Sequence, residues 1–189
     1  MKRVFDILLS IICLLIFSPL ILVCYLAIKL SGGPAIFVQE RIGKGGKPFN
    51  IYKFRTMIVD AERDGEQLYQ HENETRMTQI GKYLRNHHLD ELPQLWNVLK
   101  GDMSFVGYRP ERKYYIDQIM AIDPRYEQLY AIRPGVTSYA TLYNGYTDTM
   151  EKMLRRLEMD LYYLEHCSLW FDAKLLIKTF LSIVSGRKF

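Results

Sequence analysis

The chain has 189 residues and a net charge of +4, which leaves room for one domain of about 150 residues beside an apolar N-terminal segment. This small charge, without a recognisable nucleic-acid module, argues against nucleic-acid binding, but it suits an anionic membrane surface and anionic substrates. Cys13, Cys24 and Cys167 lack the spacing of metal ligands, so we predict reduced thiols on a cytoplasmic face rather than a metal site.

The first predicted element is an uncharged apolar run over residues 7–28, which is long enough to cross the core of a bilayer. Ser18 and Pro19 interrupt it, and a proline inside a helix removes one backbone donor, so we expect a kink there. Because basic residues flank both ends, the positive-inside rule accepts both ends in the cytoplasm. We predict a re-entrant helix-break-helix anchor over residues 1–33. A single spanning helix with a tolerated proline stays open as the alternative.

Residues 34–189 predict one catalytic domain of the α+β class that is mainly helical. Apolar segments at 35–38 and 49–54, joined by a glycine-rich turn, indicate a small β-hairpin. Shorter helices are predicted at 57–69, 79–86, 90–100, 111–120 and 125–131, with a charged loop at 71–76, a short apolar segment at 103–107 and a turn at 132–137. Two longer helices, at 150–164 and 168–184, complete the domain.

Both of these C-terminal helices carry apolar stripes. Leucine and methionine recur at helical spacing in the first, and the second is more apolar, with Trp170, Phe171 and Phe180. Core packing explains such stripes in most proteins. The alternative is that amphipathic helices surround a compact domain and lie in a membrane interface, where basic and aromatic residues flank apolar ones.

Asp90 and Glu91 are the leading candidates for chemistry. Neighbouring residues on a helix point about 100° apart, so the two carboxylates cannot act as one symmetric pair. They can divide their roles, one as a nucleophile and the other as a ligand for a hard cation. The competing interpretation is helix capping, because acidic residues before Pro93 also suit the positive end of a helix.

Cationic residues around this pair predict a phosphate site. Arg85 precedes the pair and Arg109 follows it, while Lys53 and Arg55 end a predicted strand. Guanidinium forks and ammonium groups are the side chains that bind phosphate oxygens. Each cation alone is explained equally well by a solvated surface charge.

Several of these residues belong to a longer pattern. Its parts are the segments 53–57, 89–110, 133–137, 160–163 and 168–172. In this pattern, over residues 2–185, the chain resembles the bacterial sugar transferases, the monotopic phosphoglycosyl transferases of polyprenol-linked glycan assembly. It is about the size of their minimal catalytic unit. One departure is the stretch 136–141, which differs from many relatives and puts the shape of that loop, and with it the choice of sugar, in doubt.

The resemblance implies a reaction that begins the membrane steps of glycan assembly. A sugar 1-phosphate passes from a UDP-sugar to undecaprenyl phosphate, and UMP is released. By the same resemblance Asp90 would be the nucleophile that forms a covalent phosphosugar enzyme, and Glu91 would hold Mg²⁺ against the diphosphate. The residues expected to bind substrate are Lys53, Arg55, Arg85, Gly107, Tyr108, Arg109 and Arg133.

The resemblance also implies a place in the cell. The enzyme would sit in the bacterial inner membrane, with Ser18 and Pro19 at the break of the re-entrant helix and the catalytic domain on the cytoplasmic face. The transferred sugar, the glycan pathway and the oligomeric state stay open. A non-catalytic membrane scaffold is the competing function. His87 and His88 point apart on a helix, so we expect a structural role for them.

Overall fold

The computed structural model of the chain describes residues 1–59, 61, 75–145 and 147–185. The helix predicted at 57–69 and the loop predicted at 71–76 lie mostly outside the described residues. The fold is α+β and mainly helical, as predicted. Its helices are α1 (Lys2–Leu30), α2 (Gln79–Asn86), α3 (Gln94–Lys100), α4 (Lys113–Ile122), α5 (Tyr139–Asn144), α6 (Met150–His166) and α7 (Leu169–Val184). Its strands are β1 (Ile36–Ile42), β2 (Pro48–Phe54), β3 (Ser104–Val106) and β4 (Gly135–Thr137).

Helix α1 continues through Pro19 as one helix rather than two helices joined by a loop. The hydroxyl of Ser18 donates to the carbonyl of Leu15 at 2.9 Å, which is the carbonyl that Pro19 cannot reach for lack of an N–H group. The most apolar window of α1 has a mean hydropathy of 3.0, and only 11% of it is buried. Length and composition therefore suit a membrane, and most of the helix surface faces away from the domain.

The N-terminal end of α1 is bonded to the domain through polar groups. Lys2 Nζ donates to the carbonyl of Val106 at 2.8 Å and also pairs with the Asp172 carboxylate on α7. Asp6 is buried, and its Oδ1 accepts from the Ser104 hydroxyl at 3.0 Å and from the Phe105 backbone N–H at 3.2 Å. A buried carboxylate needs such donors, so Asp6 fixes this end of α1 against β3.

The C-terminal end of α1 packs on another part of the same domain. Cys24 and Ile28 are buried in a cluster with Phe54 of β2 and Leu84 of α2. Both ends of the apolar helix therefore contact one folded unit.

The predicted hairpin is confirmed. Strands β1 and β2 are antiparallel, and their register runs from Ile36 opposite Phe54 to Ile42 opposite Pro48. A short 3₁₀ turn, Lys44–Gly46, joins them, with Gly45 at φ +70°, a conformation that glycine adopts without strain.

A second, smaller pair of strands was not predicted. Strands β3 and β4 are parallel, with Ser104 opposite Gly135 and Val106 opposite Thr137, where the sequence indicated a turn at 132–137. The backbones approach closely because glycine stands at the contact: a Cβ on Gly107 would lie 2.7 Å from the Gly135 nitrogen. This approach, rather than strand propensity, makes the pairing possible.

The two C-terminal stripes have different surroundings. On α6, Met153, Leu157 and Leu161 are buried against α4 and the 3₁₀ segment Pro124–Ala131, so this stripe packs in the core. On α7 only Asp172 and Leu175 are buried, and a large apolar surface stays exposed. Its members are Leu169, Trp170, Ile177, Phe180, Leu181, Ile183 and Val184.

The N-terminus of α2 rests directly on the backbone after β2. Thr78 caps the helix by accepting from the Gly81 N–H at 2.9 Å, while the Thr78 N–H donates to the Thr56 carbonyl at 3.0 Å. A Cβ on Gly81 would lie 2.5 Å from the Thr56 carbonyl carbon. Because the contact is between the backbones of α2 and of Thr56, which a hydrogen bond holds together, position 81 requires glycine.

We therefore expect Gly81→Ala to lower the free energy of unfolding by about 1–3 kcal/mol, the usual cost of overpacking. Chemical denaturation in detergent measures the change. Lys82→Ala, at the exposed next position of the same helix, is the matched control and should stay within about 0.5 kcal/mol of the parent. Equal stability of the two variants would contradict the packing argument.

Candidate active site

Asp90 and Glu91 lie in a 3₁₀ turn, Leu89–Glu91, between α2 and α3. The helix predicted at 90–100 therefore begins later, at Gln94, directly after Pro93. The chain changes direction at His88, which has φ 55° in the left-handed region. The two carboxylates thus stand on a short turn of their own, so capping of α3 is not their role.

Glu91 is the centre of a charged group. Its Oε1 pairs with Lys53 Nζ at 2.8 Å and with Arg109 Nη2 at 3.2 Å. Burial opposes ionisation of Glu91, but the charges of Lys53 and Arg109 outweigh burial and hold its pKa well below the usual range. The charge of Glu91 in turn raises the pKa of Arg109. Glu91 is therefore a carboxylate throughout the physiological pH range.

Asp90 has different surroundings although it is the next residue. It is 6% exposed, and among the described residues no cation lies within ion-pair distance of it. Burial, and then the charge of Glu91, raises its pKa to about 6, while Lys53, Arg85 and Arg109 act in the opposite direction. Two adjacent carboxylates with different pKa values can take different chemical roles.

A cleft of about 980 Å³ opens in front of the pair, large enough for a nucleotide sugar. It brings together the predicted charged residues, which are Lys53, Arg55, Arg85, Asp90, Glu91 and Arg109. His88 also lines the cleft, and burial lowers the pKa of its imidazole.

Three predicted substrate-binding residues, Gly107, Tyr108 and Arg133, are not among the described residues that line the cleft, and a substrate role for them stays a prediction. The Gly107 N–H already donates to the Thr137 carbonyl at 3.1 Å, so it is not available to a phosphate. Tyr108 is fully buried in the core beside α4 and α6. Arg133 Nε donates to the Gly101 carbonyl at 2.7 Å. These residues support the β3–β4 region rather than line the cleft.

A second charged group, which the sequence analysis missed, lines another part of the cleft. Glu111 Oε1 lies 3.5 Å from Arg41 Nη1 and 3.4 Å from Arg156 Nη2, and Arg156 Nη1 donates to Thr147 Oγ1 at 2.8 Å. The residues come from β1, from the segment before α4 and from α6. No spacing in the sequence connects them, and the only local sign was that Glu111 directly follows the motif at 89–110.

Asp90 and Glu91 are carboxylates of the cleft that could bind Mg²⁺. The part of the chain that the structure describes has no group of three or more His, Cys, Asp or Glu side chains placed to share a metal ion. However, Mg²⁺ is usually bound by one or two carboxylates, with water and substrate phosphate oxygens completing its shell. Both ion pairs of Glu91 with described residues end on Oε1, and Asp90 is adjacent, so the pair fits this mode of binding.

Comparison with known proteins places the sequence in a family. The family model described as bacterial sugar transferase matches residues 1–186. The chain is 42% identical, over 98% of its length, to a UDP-N-acetylgalactosamine-undecaprenyl-phosphate N-acetylgalactosaminephosphotransferase of Aeromonas hydrophila, of which it covers 44%. It is 43% identical, over 97% of its length, to a UDP-glucose:undecaprenyl-phosphate glucose-1-phosphate transferase of Caulobacter vibrioides, of which it covers 70%.

A third relative, the UDP-glucose:undecaprenyl-phosphate glucose-1-phosphate transferase of Escherichia coli K12, is 42% identical over 98% of the chain, which covers 40% of that protein. The chain thus spans less than half the length of the Aeromonas and Escherichia relatives. The family match nevertheless includes the apolar helix, the Asp90 turn and every described residue of the cleft. With this match over nearly its whole length, the chain belongs to the bacterial sugar transferase family.

Proposed function

We propose that the protein transfers a sugar 1-phosphate from a UDP-sugar to undecaprenyl phosphate and releases UMP. One observation carries the proposal: Glu91 is held between two cations while the adjacent, buried Asp90 has no ion pair with a described residue. One carboxylate is thereby engaged and the other is available for reaction. The three relatives named above carry names for this type of transfer.

In the first step the Asp90 carboxylate attacks the phosphorus that bears the sugar. The new bond joins Asp90 Oδ to phosphorus, the phosphoanhydride bond to UMP breaks, and UMP leaves with the electron pair. Lys53, Arg85 and Arg109 line this part of the cleft and lower the repulsion between the carboxylate and the diphosphate. The product on the enzyme is an aspartyl phosphosugar.

In the second step a phosphate oxygen of undecaprenyl phosphate attacks the same phosphorus. The bond to Asp90 breaks, the carboxylate is regenerated, and a polyprenol diphosphate sugar leaves. Neither step needs a proton from the enzyme, because attacking and leaving groups are all oxyanions. When bound, Mg²⁺ would neutralise the charge of the diphosphate, with Glu91 as its protein ligand.

We also propose that α1 is a re-entrant anchor, with the catalytic domain on the cytoplasmic face of the inner membrane. A helix that crosses the bilayer places its two ends on opposite sides of a hydrocarbon core about 30 Å thick. Here Asp6 bonds to β3 and Ile28 packs beside Phe54 of the same domain. A transmembrane path would break one of these contacts, which favours entry and return on one side.

Labelling tests this topology. In a variant without native cysteines, a cysteine inserted after Met1 and Leu30→Cys should both react with a membrane-impermeant maleimide from the cytoplasmic side only. Leu30 is 88% exposed, so its replacement disturbs little packing. Leu15→Cys, in the middle of the helix, is the control that should stay unlabelled. Labelling of the two ends from opposite sides of the membrane would contradict the re-entrant anchor and support a single spanning helix.

The pKa of Asp90 predicts a pH dependence for the first step. A carboxyl with a pKa raised to about 6 is protonated below that pH and cannot attack, so the rate of UMP release should rise through about pH 6 and level off above it. Glu91 does not titrate in this window, because its pKa is lowered. Single-turnover UMP release between about pH 5 and pH 8 measures the profile. A flat profile would contradict the assignment.

The experiment for the function as a whole is UMP release from a panel of UDP-sugars, with undecaprenyl phosphate and Mg²⁺ and the protein in detergent. Release with one donor supports the reaction and identifies the sugar. No release from folded protein with any donor would favour the membrane scaffold.

A further inference from the structure

Arg55 lies between the C-terminal end of α1 and the cleft. Its Nη2 donates to the Ser31 hydroxyl at 3.2 Å and to the carbonyl of Gly32, just after the end of α1. Its backbone N–H donates to the Ala35 carbonyl at 2.9 Å. Gly33, at φ +83°, packs so close to the guanidinium that a Cβ at this position would collide with Arg55 Nη1. The side chain is therefore held in one place.

This guanidinium is buried without a described counter-ion. Arg55 is 8% exposed, its Nε is buried without a hydrogen-bond partner, and no carboxylate of the described residues pairs with it. Elsewhere in the cleft Lys53 and Arg109 share Glu91, and Arg41 and Arg156 share Glu111. Burying a charge without a partner is costly. Since Arg55 also lines the cleft, a bound anion would supply the missing partner.

Part of the rim beside Arg55 is apolar. Pro34, Phe37, Ile58 and Val59 line the cleft there, and Ile58 and Val59 are 51% and 55% exposed. Val59 also lies close to the guanidinium. A Cβ built on Gly33 would be 3.0 Å from Val59 Cγ2 and would also meet Arg55 Nη1. A cationic fork inside an apolar rim, next to the end of a membrane helix, suits a phosphate group attached to a hydrocarbon chain.

We propose that Arg55 binds the phosphate of the lipid acceptor, at a subsite separate from the one formed by Lys53, Glu91 and Arg109 for the donor diphosphate. The inference rests on the proposed function and deepens it. Arg55 and Asp90 line the same cleft, so a phosphate bound at Arg55 would share that cleft with the phosphosugar carried by Asp90. The apolar rim would receive the first part of the hydrocarbon chain.

The test compares Arg55→Gln with the parent in two measurements. The first is UMP release without acceptor, which reports donor binding and the first step and should stay within about twofold. The second is equilibrium binding of undecaprenyl phosphate in detergent, in an Asp90→Asn background where no turnover occurs. Its Kd should rise about tenfold or more, as expected when a buried charged hydrogen bond is lost. Arg55→Lys, which keeps the charge and loses the fork, should give an intermediate Kd.

Two controls make the result specific. Arg125→Gln removes an exposed arginine that pairs with Asp123 and Glu158, and it should change neither measurement. Undecaprenol, which lacks the phosphate, should bind Arg55→Gln and the parent equally. Inorganic phosphate at the same concentration should not displace the lipid, which distinguishes a lipid phosphate from a free one.

Each contrary result overturns the inference. Loss of UMP release with unchanged lipid binding would assign Arg55 to the donor. Unchanged values in both measurements, or a loss of thermal stability alone, would leave it as a tether between Ser31 and β2. Displacement of the lipid by inorganic phosphate would make the subsite one for free phosphate. Because lipid binding is measured without turnover, a parent enzyme that releases no UMP would refute the proposed function and still decide the role of Arg55.

Discussion

Asp90→Asn should abolish turnover, lowering the rate of UMP release by about four orders of magnitude or more, as removal of a covalent nucleophile does in other enzymes. The amide carries no charge and is a very weak nucleophile, while its shape is that of the carboxyl group. Asp90 has no ion pair with a described residue, so the substitution leaves the packing of the turn intact. Single-turnover release of UMP, together with trapping of labelled sugar on the protein, measures both sides of the first step.

Asp117→Asn is the matched control for this variant. Asp117 is exposed on α4 and pairs only with Lys113 among the described residues, so the same chemical change there should leave the rate unaltered. Labelled sugar retained by the parent and absent from Asp90→Asn would support the covalent step. Full activity in Asp90→Asn would remove Asp90 from the role of nucleophile.

Glu91→Gln is expected to have the second largest effect, a loss of about 100-fold or more in rate, which is the usual cost of removing one electrostatic group from an active site. The amide leaves Lys53 and Arg109 without the anion that they share at 2.8 and 3.2 Å. It also removes the proposed ligand for Mg²⁺, so the Mg²⁺ concentration for half-maximal rate should rise. A titration of UMP release against Mg²⁺ separates the two consequences.

The control for Glu91→Gln is Glu165→Gln, an exposed position on α6. It should change neither the rate nor the Mg²⁺ requirement. A slow Glu91→Gln enzyme with an unchanged Mg²⁺ titration would mean that Glu91 acts by positioning Lys53 and Arg109 rather than as a metal ligand.

Local patterns predicted the local parts of the fold well. The helix at 79–86 has the predicted bounds, because Thr78 provides a cap and the apolar residues keep helical spacing. The start of α3 was placed too early, since Asp-Glu before Pro93 has the composition of a helix N-terminus. In the structure these two residues form a 3₁₀ turn before α3, and His88 in the left-handed region separates that turn from α2. The pairing of β3 with β4 had no local signal, because it depends on a close approach at Gly107.

The sequence identified some, but not all, of the residues that line the cleft. Lys53, Arg85 and Arg109 were named because cationic side chains near Asp90 and Glu91 in the sequence suit a phosphate, and the cleft contains them all. Membership of a motif does not separate residues that face a ligand from residues that pack behind the site. Tyr108 is fully buried, and its role in substrate binding stays a prediction. The Arg41, Glu111 and Arg156 group is formed by tertiary structure alone and was beyond any argument from spacing.

The bonding of Asp6 to Ser104 and Phe105 has a consequence for how the protein folds. Strand β3 donates two hydrogen bonds to a carboxylate on the apolar helix, so these donors are paired only when that helix is in place. Placement of α1 and folding of the domain are therefore coupled, and α1 is synthesised before the domain that it completes. Protein in which α1 does not pack against the domain would be left with unpaired hydrogen-bond donors at β3, which is costly in a buried position.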